Sequence, residues 1–168
     1  MEIEILKGKE THIESCLSIV VDLPQYFTDN AIKTIGKDLR NHTLNVAMES
    51  NEVAGFVTVH HKNRYVAEIS CIAVQPRSQH LGIGSALIDR IADELSDQGY
   101  RLLEVKTLSE DVEYAPYEIT RQFYKKCGFM HLETIDPYPE WEPGNPCAIY
   151  IKILDTEISI GYMGQKRG

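Results

Sequence analysis

The sequence predicts an α/β fold with a mixed central sheet, and three observations carry it. Alternating and helical apolar spacings succeed one another in the order β-α-α-β-β-β-α-β-α-β-β. Three short strands follow each other between Leu44 and Val74 across tight turns, as antiparallel neighbours do. A strand, a glycine turn and a long helix then lead to a further strand at Leu102, so helices alternate with strands along the chain.

Glu2 to Leu6 reads as a first strand. Thr11 with Glu14 fits a capping box, after which Ile13, Cys16, Leu17, Val20 and Val21 recur at helical spacing. Pro24 interrupts, and Asp29 to Arg40 fits a second helix with Ile32, Ile35 and Leu39 on one side. Leu44, Val46 and Met48 alternate as a half-buried strand. Ser50-Asn51 turns the chain into Val53–His60, and Lys62-Asn63 turns it into Tyr65–Val74, which Pro76 stops. Gly82 to Asp97 is the strongest helix: Ile83, Leu87, Ile91 and Leu95 step by four, and Gly99 ends it. Leu102–Thr107 is a strand, and Pro116 opens a helix to Cys127 with Gly128 as its cap. Phe129–Ile135 and Pro146–Leu154 are the last two strands, joined by a stiff, proline-rich loop that holds Trp141. Residues 2–154 thus form one domain, and residues 155–168 are a tail of little periodicity.

The chain has 168 residues, enough to bury a core without a disulfide or metal staple. Its 17 Lys and Arg against 25 Asp and Glu leave a net charge of −8, which disfavours nucleic-acid and anionic-membrane binding. No apolar run approaches a membrane span, and the acidic start does not resemble a signal peptide. Cys16, Cys71, Cys127 and Cys147 are far apart in apolar contexts, which suits reduced thiols in the cytoplasm. His60 and His61 are adjacent on a strand and point to opposite faces, so no metal site is expected.

The informative segment is Gln75-Pro76-Arg77-Ser78-Gln79-His80-Leu81-Gly82-Ile83-Gly84-Ser85. A helix that starts at two glycines presents unpaired N–H groups and the positive end of its dipole, which suits a phosphate. The turn lacks the Lys-Ser/Thr of a triphosphate loop and is not GxGxxG, since Leu87 takes the third glycine position. A plain strand-to-helix turn is the other reading of the glycines alone.

Gln79-His80-Leu81-Gly82-Ile83-Gly84 resembles the Arg/Gln-x-x-Gly-x-Gly/Ala signature of the GNAT superfamily of N-acetyltransferases. Glu68 to Val74 looks like that family's fourth strand, and Phe123-Tyr124 through Gly128-Phe129 resembles its FY-x-x-x-GF element. The resemblance covers about residues 2–154. It implies transfer of acetyl from acetyl-CoA, as co-substrate, to an amine by direct attack. Backbone groups near Ile72 and Val74 would hold the pantetheine arm. Amides from Gln79 through His80, Gly82, Ile83, Gly84 and Ser85 would hold the pyrophosphate. Tyr124 stands at the general-acid tyrosine, and Glu68, eleven residues before Gln79, at the base of the lysine-acetylating branch. A Glu68 paired to Lys62 or Arg64 on the outer face is the alternative. A non-catalytic acyl-CoA-binding module on the same fold is the alternative for the whole chain.

Nine carboxylates with no Lys or Arg fall in the three loop segments that would rim the substrate side: Asp22, Asp29, Glu110, Asp111, Glu113, Glu118, Asp136, Glu140 and Glu142. They suggest a cationic amine as acceptor, with Tyr138 and Trp141 as a face for it. The last strand and the tail after Leu154 are the expected surface of a homodimer.

Overall fold

Eleven elements follow one another in the predicted order in the computed structural model, which describes residues 2–155. They are β1 (Ile3–Lys7), α1 (Ile13–Val21), α2 (Asp29–Asn41), β2 (Thr43–Glu49), β3 (Glu52–His61), β4 (Val66–Val74), α3 (Ile83–Asp97), β5 (Leu102–Leu108), α4 (Ala115–Lys126), β6 (Met130–Ile135) and β7 (Cys147–Ile153). All but one residue of the expected tail lie outside the described residues. No helix among the described residues is long and apolar enough to cross a membrane.

Local chemistry explains most boundaries. Ser50 and Asn51 take positive φ, 48° and 69°, and form the turn between β2 and β3. Thr28 caps α2, its hydroxyl accepting the Ala31 N–H at 3.2 Å. Gly128 closes α4 at φ 89°, and the Lys152 ammonium donates to the freed Cys127 carbonyl at 2.6 Å. The capping box expected at Thr11 does not form. Residues Glu10–His12 make a 3-10 turn instead, and His12 Nδ1 accepts the Lys9 N–H at 3.0 Å. Thr11 therefore lies inside a turn rather than before a helix.

The strands form one sheet in the order β1-β2-β3-β4-β5-β7-β6. Only β4 and β5 run parallel; their neighbours pair antiparallel. One face carries a core of Leu87, Ile88, Ile91 and Leu95 from α3 against Val57, Ile69, Leu103 and Val105. The other packs Cys16, Ile19, Val20, Ile35 and Leu39 from α1 and α2 against Val46, Phe56 and Ala73. The period-two burial along β5 serves the first core, whereas along β4 Ala67 and Ile69 join the first core and Cys71 and Ala73 the second.

The sheet is split at its centre. β4 and β5 pair only from Val66 with Leu102 to Ile69 with Val105. Beyond that point β4 stays with β3 while β5 stays with β7. A bulge marks the departure: Val59 of β3 pairs with Ile69 and Thr58 with Cys71, so Ser70 has no register partner. A bulge bends its strand and adds twist, which turns β4 away from β5.

Candidate active site

The split opens a cleft of about 520 Å³ between β4, β5, α3 and α4. Its walls are Ile69 to Val74 of β4, Val105 to Thr107 of β5, the turn from Ser78 through Gly82 to Ser85, and Phe123 and Tyr124 of α4. Leu23, Tyr26, Phe27 and Tyr117 close the side towards α1 and α2. Gln79, His80, Gly82, Ile83, Gly84, Ser85, Ile72, Val74 and Tyr124 thus meet at one site.

The turn is locked before the helix begins. Gln79 folds its side chain back so that Nε2 donates to the Val74 carbonyl at 3.2 Å. His80 and Gly82 both take positive φ, 63° and 83°. A Cβ at Gly82 would meet nothing within 4 Å, so glycine is required there by backbone conformation alone. Gly84 is different. A Cβ there would lie 3.0 Å from Phe123 Cζ, so this glycine lets α4 approach the start of α3. The first amides of α3 have no acceptor within the helix and face the cleft, a site for an anionic group.

Two hydroxyls stand deeper in. Tyr124 is 5% exposed, edge-packed on Phe129, and burial holds its phenol above the ordinary tyrosine range. Its neutral, proton-bearing form therefore persists at any working pH. Thr107 is 3% exposed, and its hydroxyl has no hydrogen-bond partner. A buried orphan hydroxyl on a cleft wall is a group waiting for a ligand atom.

Glu68 lies on β4 beyond the cleft walls, on the face towards α2. Lys106 Nζ donates to its Oε1 at 2.9 Å, and Lys62 lies 3.8 Å from Oε2. Lys62 also bonds Glu104, so four charges form one chain across β4 and β5. Burial pulls the Lys106 ammonium down, but its bonds to Glu68 and Tyr138 outweigh that and hold it above the usual lysine range. The pairing with Lys62 that the sequence left open is present, with Lys106 as the nearer partner.

None of the nine loop carboxylates lines the cleft. Tyr138 and Trp141 pack edge to face at 5.5 Å, and the Tyr138 ring already faces the Lys106 ammonium at 5.5 Å. On the α1–α2 side of the cleft the aromatic wall is instead Tyr26 against Tyr117, at 5.6 Å. His60 stacks on His42, while His61 bonds Thr43 and Tyr100. No group of three or more His, Cys, Asp or Glu among the described residues is arranged to hold a metal. Cys16, Cys71 and Cys147 are buried, Cys127 half-buried, and all are unpaired. Burial pushes the Cys16 thiol up to about 12 and raises Cys71 as well.

Sequence reasoning missed a polar cluster on the face of β4 towards α2: Ser70, Thr58, His42 and Asp38. Ser70 Oγ lies 2.8 Å from both Thr58 Oγ1 and His42 Nδ1. The one signal was a serine interrupting an apolar strand.

The model of the acetyltransferase (GNAT) family matches residues 11–129. No curated protein matches the sequence. A GNAT-family protein of Desulfovibrio desulfuricans superposes with a TM-score of 0.80 at 19% identity, over 92% of this chain and 100% of that one. The ribosomal-protein-S18-alanine N-acetyltransferase of Escherichia coli gives 0.73 at 18% identity, over 92% and 95%. A GNAT family acetyltransferase of Elizabethkingia anophelis, solved with acetyl-CoA bound, gives 0.70 at 21%, over 90% and 98%.

Proposed function

The chain belongs to the acetyltransferase (GNAT) family, and from that premise we propose that it transfers acetyl from acetyl-CoA to a primary amine by direct attack. The observation that carries the reading is the split between β4 and β5, which ends at the amides of α3 and has an orphan hydroxyl, that of Thr107, buried in its wall. The residues fit a thioester bearing phosphates: anion-binding amides at the start of α3, a slot of mixed apolar and polar lining between β4 and β5, and the Tyr124 phenol on its α4 wall.

The start of α3, from Gly82 to Ser85, and the turn from Gln79 and His80 bind the pyrophosphate. β4 backbone groups near Ile72 and the Val74 N–H, beyond the point where β5 leaves β4, hold the pantetheine arm and polarise the thioester carbonyl. Tyr124 hands its proton to the departing thiolate. Burial keeps the phenol in the protonated form that such a donation starts from. The acceptor amine approaches from the α1–α2 side, past Tyr26 and Tyr117. These rings suit an acceptor with an alkyl, aromatic or cationic group beside its amine. There it must lose a proton, on the face that carries Glu68 and Ser70.

A thermal shift with acetyl-CoA, followed by thiol release across a panel of amines, tests the reading. The expected result is stabilisation and turnover by at least one amine. Tight binding with no turnover on any amine would mark a non-catalytic acyl-CoA-binding module.

A further inference from the structure

We propose that the acceptor amine loses its proton through Ser70 to His42, an inference that rests on the transfer reading above. Ser70 is the bulged residue of β4; it lines the cleft, and its hydroxyl turns towards His42 and Thr58. His42 stands at the end of α2, and its Nδ1 lies 2.8 Å from Ser70 Oγ. Thr58 Oγ1 lies 2.8 Å from the same oxygen on the other side. In the relay Thr58 donates to Ser70 rather than to the Cys71 carbonyl, 3.4 Å away, and Ser70 donates to His42 rather than to the Thr58 carbonyl, 3.3 Å away, which leaves the second lone pair of Ser70 for an N–H of the amine. Asp38 Oδ1, 3.6 Å from His42 Nδ1, offsets the charge that the ring gains. The ring stays 19% exposed, so it can return the proton to water.

The geometry favours this route over a direct one. Ser70 lines the cleft and Glu68 does not. Glu68 has its carboxylate held by Lys106, whereas the hydroxyl chain from Thr58 to His42 ends on a ring nitrogen able to accept. The titratable and charged groups around the ring are Asp38 on α2, His60 and His61 on β3, and Glu68 on β4 with Lys106 behind it.

The protons balance. An ammonium in the acceptor site gives one proton to Ser70 as Ser70 passes its own to His42 Nδ1. The neutral amine attacks the thioester carbon, the C–N bond forms and the C–S bond breaks. The thiolate takes the Tyr124 proton, and the second amine proton restores Tyr124. His42 is a relay and positioning residue; the group that touches the amine is Ser70.

The test compares Ser70→Ala, His42→Gln and Glu68→Gln with the unaltered chain. The acceptors are methylamine, benzylamine and spermidine, which are ammonium ions at neutral pH, and hydroxylamine, which is already neutral. Enzyme-free rates are subtracted, and the acetyl-CoA thermal shift reports folding of each variant. A general base contributes about 100- to 10,000-fold. We expect the ratio of alkylamine to hydroxylamine turnover to fall at least about 100-fold in Ser70→Ala and His42→Gln. The loss should shrink as pH rises and free amine accumulates. Equal loss with both acceptor types, or a ratio that falls only in Glu68→Gln, overturns the relay and leaves the transferase reading standing. No turnover of any acceptor by the unaltered chain overturns both.

Discussion

Phe123 of α4 occupies the space that a side chain at Gly84 of α3 would fill, its Cζ 3.0 Å from where a Cβ would sit. Gly84→Ala forces the ring to give by a few tenths of an ångström, and Gly84→Val requires α4 to move. We expect Gly84→Val to lose about 1–3 kcal/mol by overpacking, with Gly84→Ala nearer the lower bound, as measured by urea denaturation. Gly82, with open space around it and φ 83°, should behave differently. Gly82→Ala costs about 1–2 kcal/mol through backbone strain, and Gly82→Asn should cost less because asparagine tolerates that conformation. Equal losses for Ala and Asn at position 82 would overturn the distinction.

The contrast between these glycines shows what was legible in the sequence. The strand, turn and helix around them follow from alternation, from four-residue steps and from glycine itself, all local signals. That Gly84 serves a contact with Phe123, thirty-nine residues away, has no local signal. The same holds for Lys106 on Glu68, which needs the parallel register of β4 and β5, and for His42 on Ser70, which needs a bulge that no residue pattern announces. The capping box failed for a related reason: Lys9 and His12 offered the backbone a competing turn two residues earlier.

Tyr124 is expected to matter twice. Tyr124→Phe should lower kcat with little change in the acetyl-CoA KM, since the ring packing on Phe129 is kept. An unchanged kcat sinks the acid role. The hydroxyl should also shape alkaline stability. Burial raises the folded-state pKa above the unfolded value of about 10, so the fold is fully supported below about pH 10 and loses support as pH rises beyond it, where the unfolded chain ionises first. Tyr117 and Tyr150 are shifted in the same direction by burial and contribute the same sign. Urea midpoints at about pH 8 and about pH 11 should therefore fall less in Tyr124→Phe than in the unaltered chain.

The ion pair between Lys106 and Glu68 is half-shielded, with side chains 19% and 14% exposed. Lys106→Met leaves Glu68 with only the more distant Lys62, at 3.8 Å, and should cost about 1–2 kcal/mol, less than the loss from breaking a fully buried pair. Glu68→Gln alone leaves the Lys106 ammonium with the more distant Glu104, at 3.9 Å, and should cost a similar amount. The double variant should recover part of both losses, and strictly additive losses in a double-mutant cycle would show that the two side chains do not interact.

Thr107 offers the sharpest separation of binding from folding. Its hydroxyl is buried without a partner, so the free protein bears its desolvation with no return. Thr107→Val keeps the branched shape and the strand preference, and removes only the hydroxyl. The free variant should be at least as stable as the unaltered chain, by up to about 1 kcal/mol. Its affinity for acetyl-CoA should nevertheless fall about tenfold, the equivalent of one net hydrogen bond of about 1.4 kcal/mol. Isothermal titration and urea denaturation on the same preparation read the two effects separately. A variant that loses stability while keeping its acetyl-CoA affinity would mean that the hydroxyl serves the fold, and that the thioester arm lies elsewhere in the cleft.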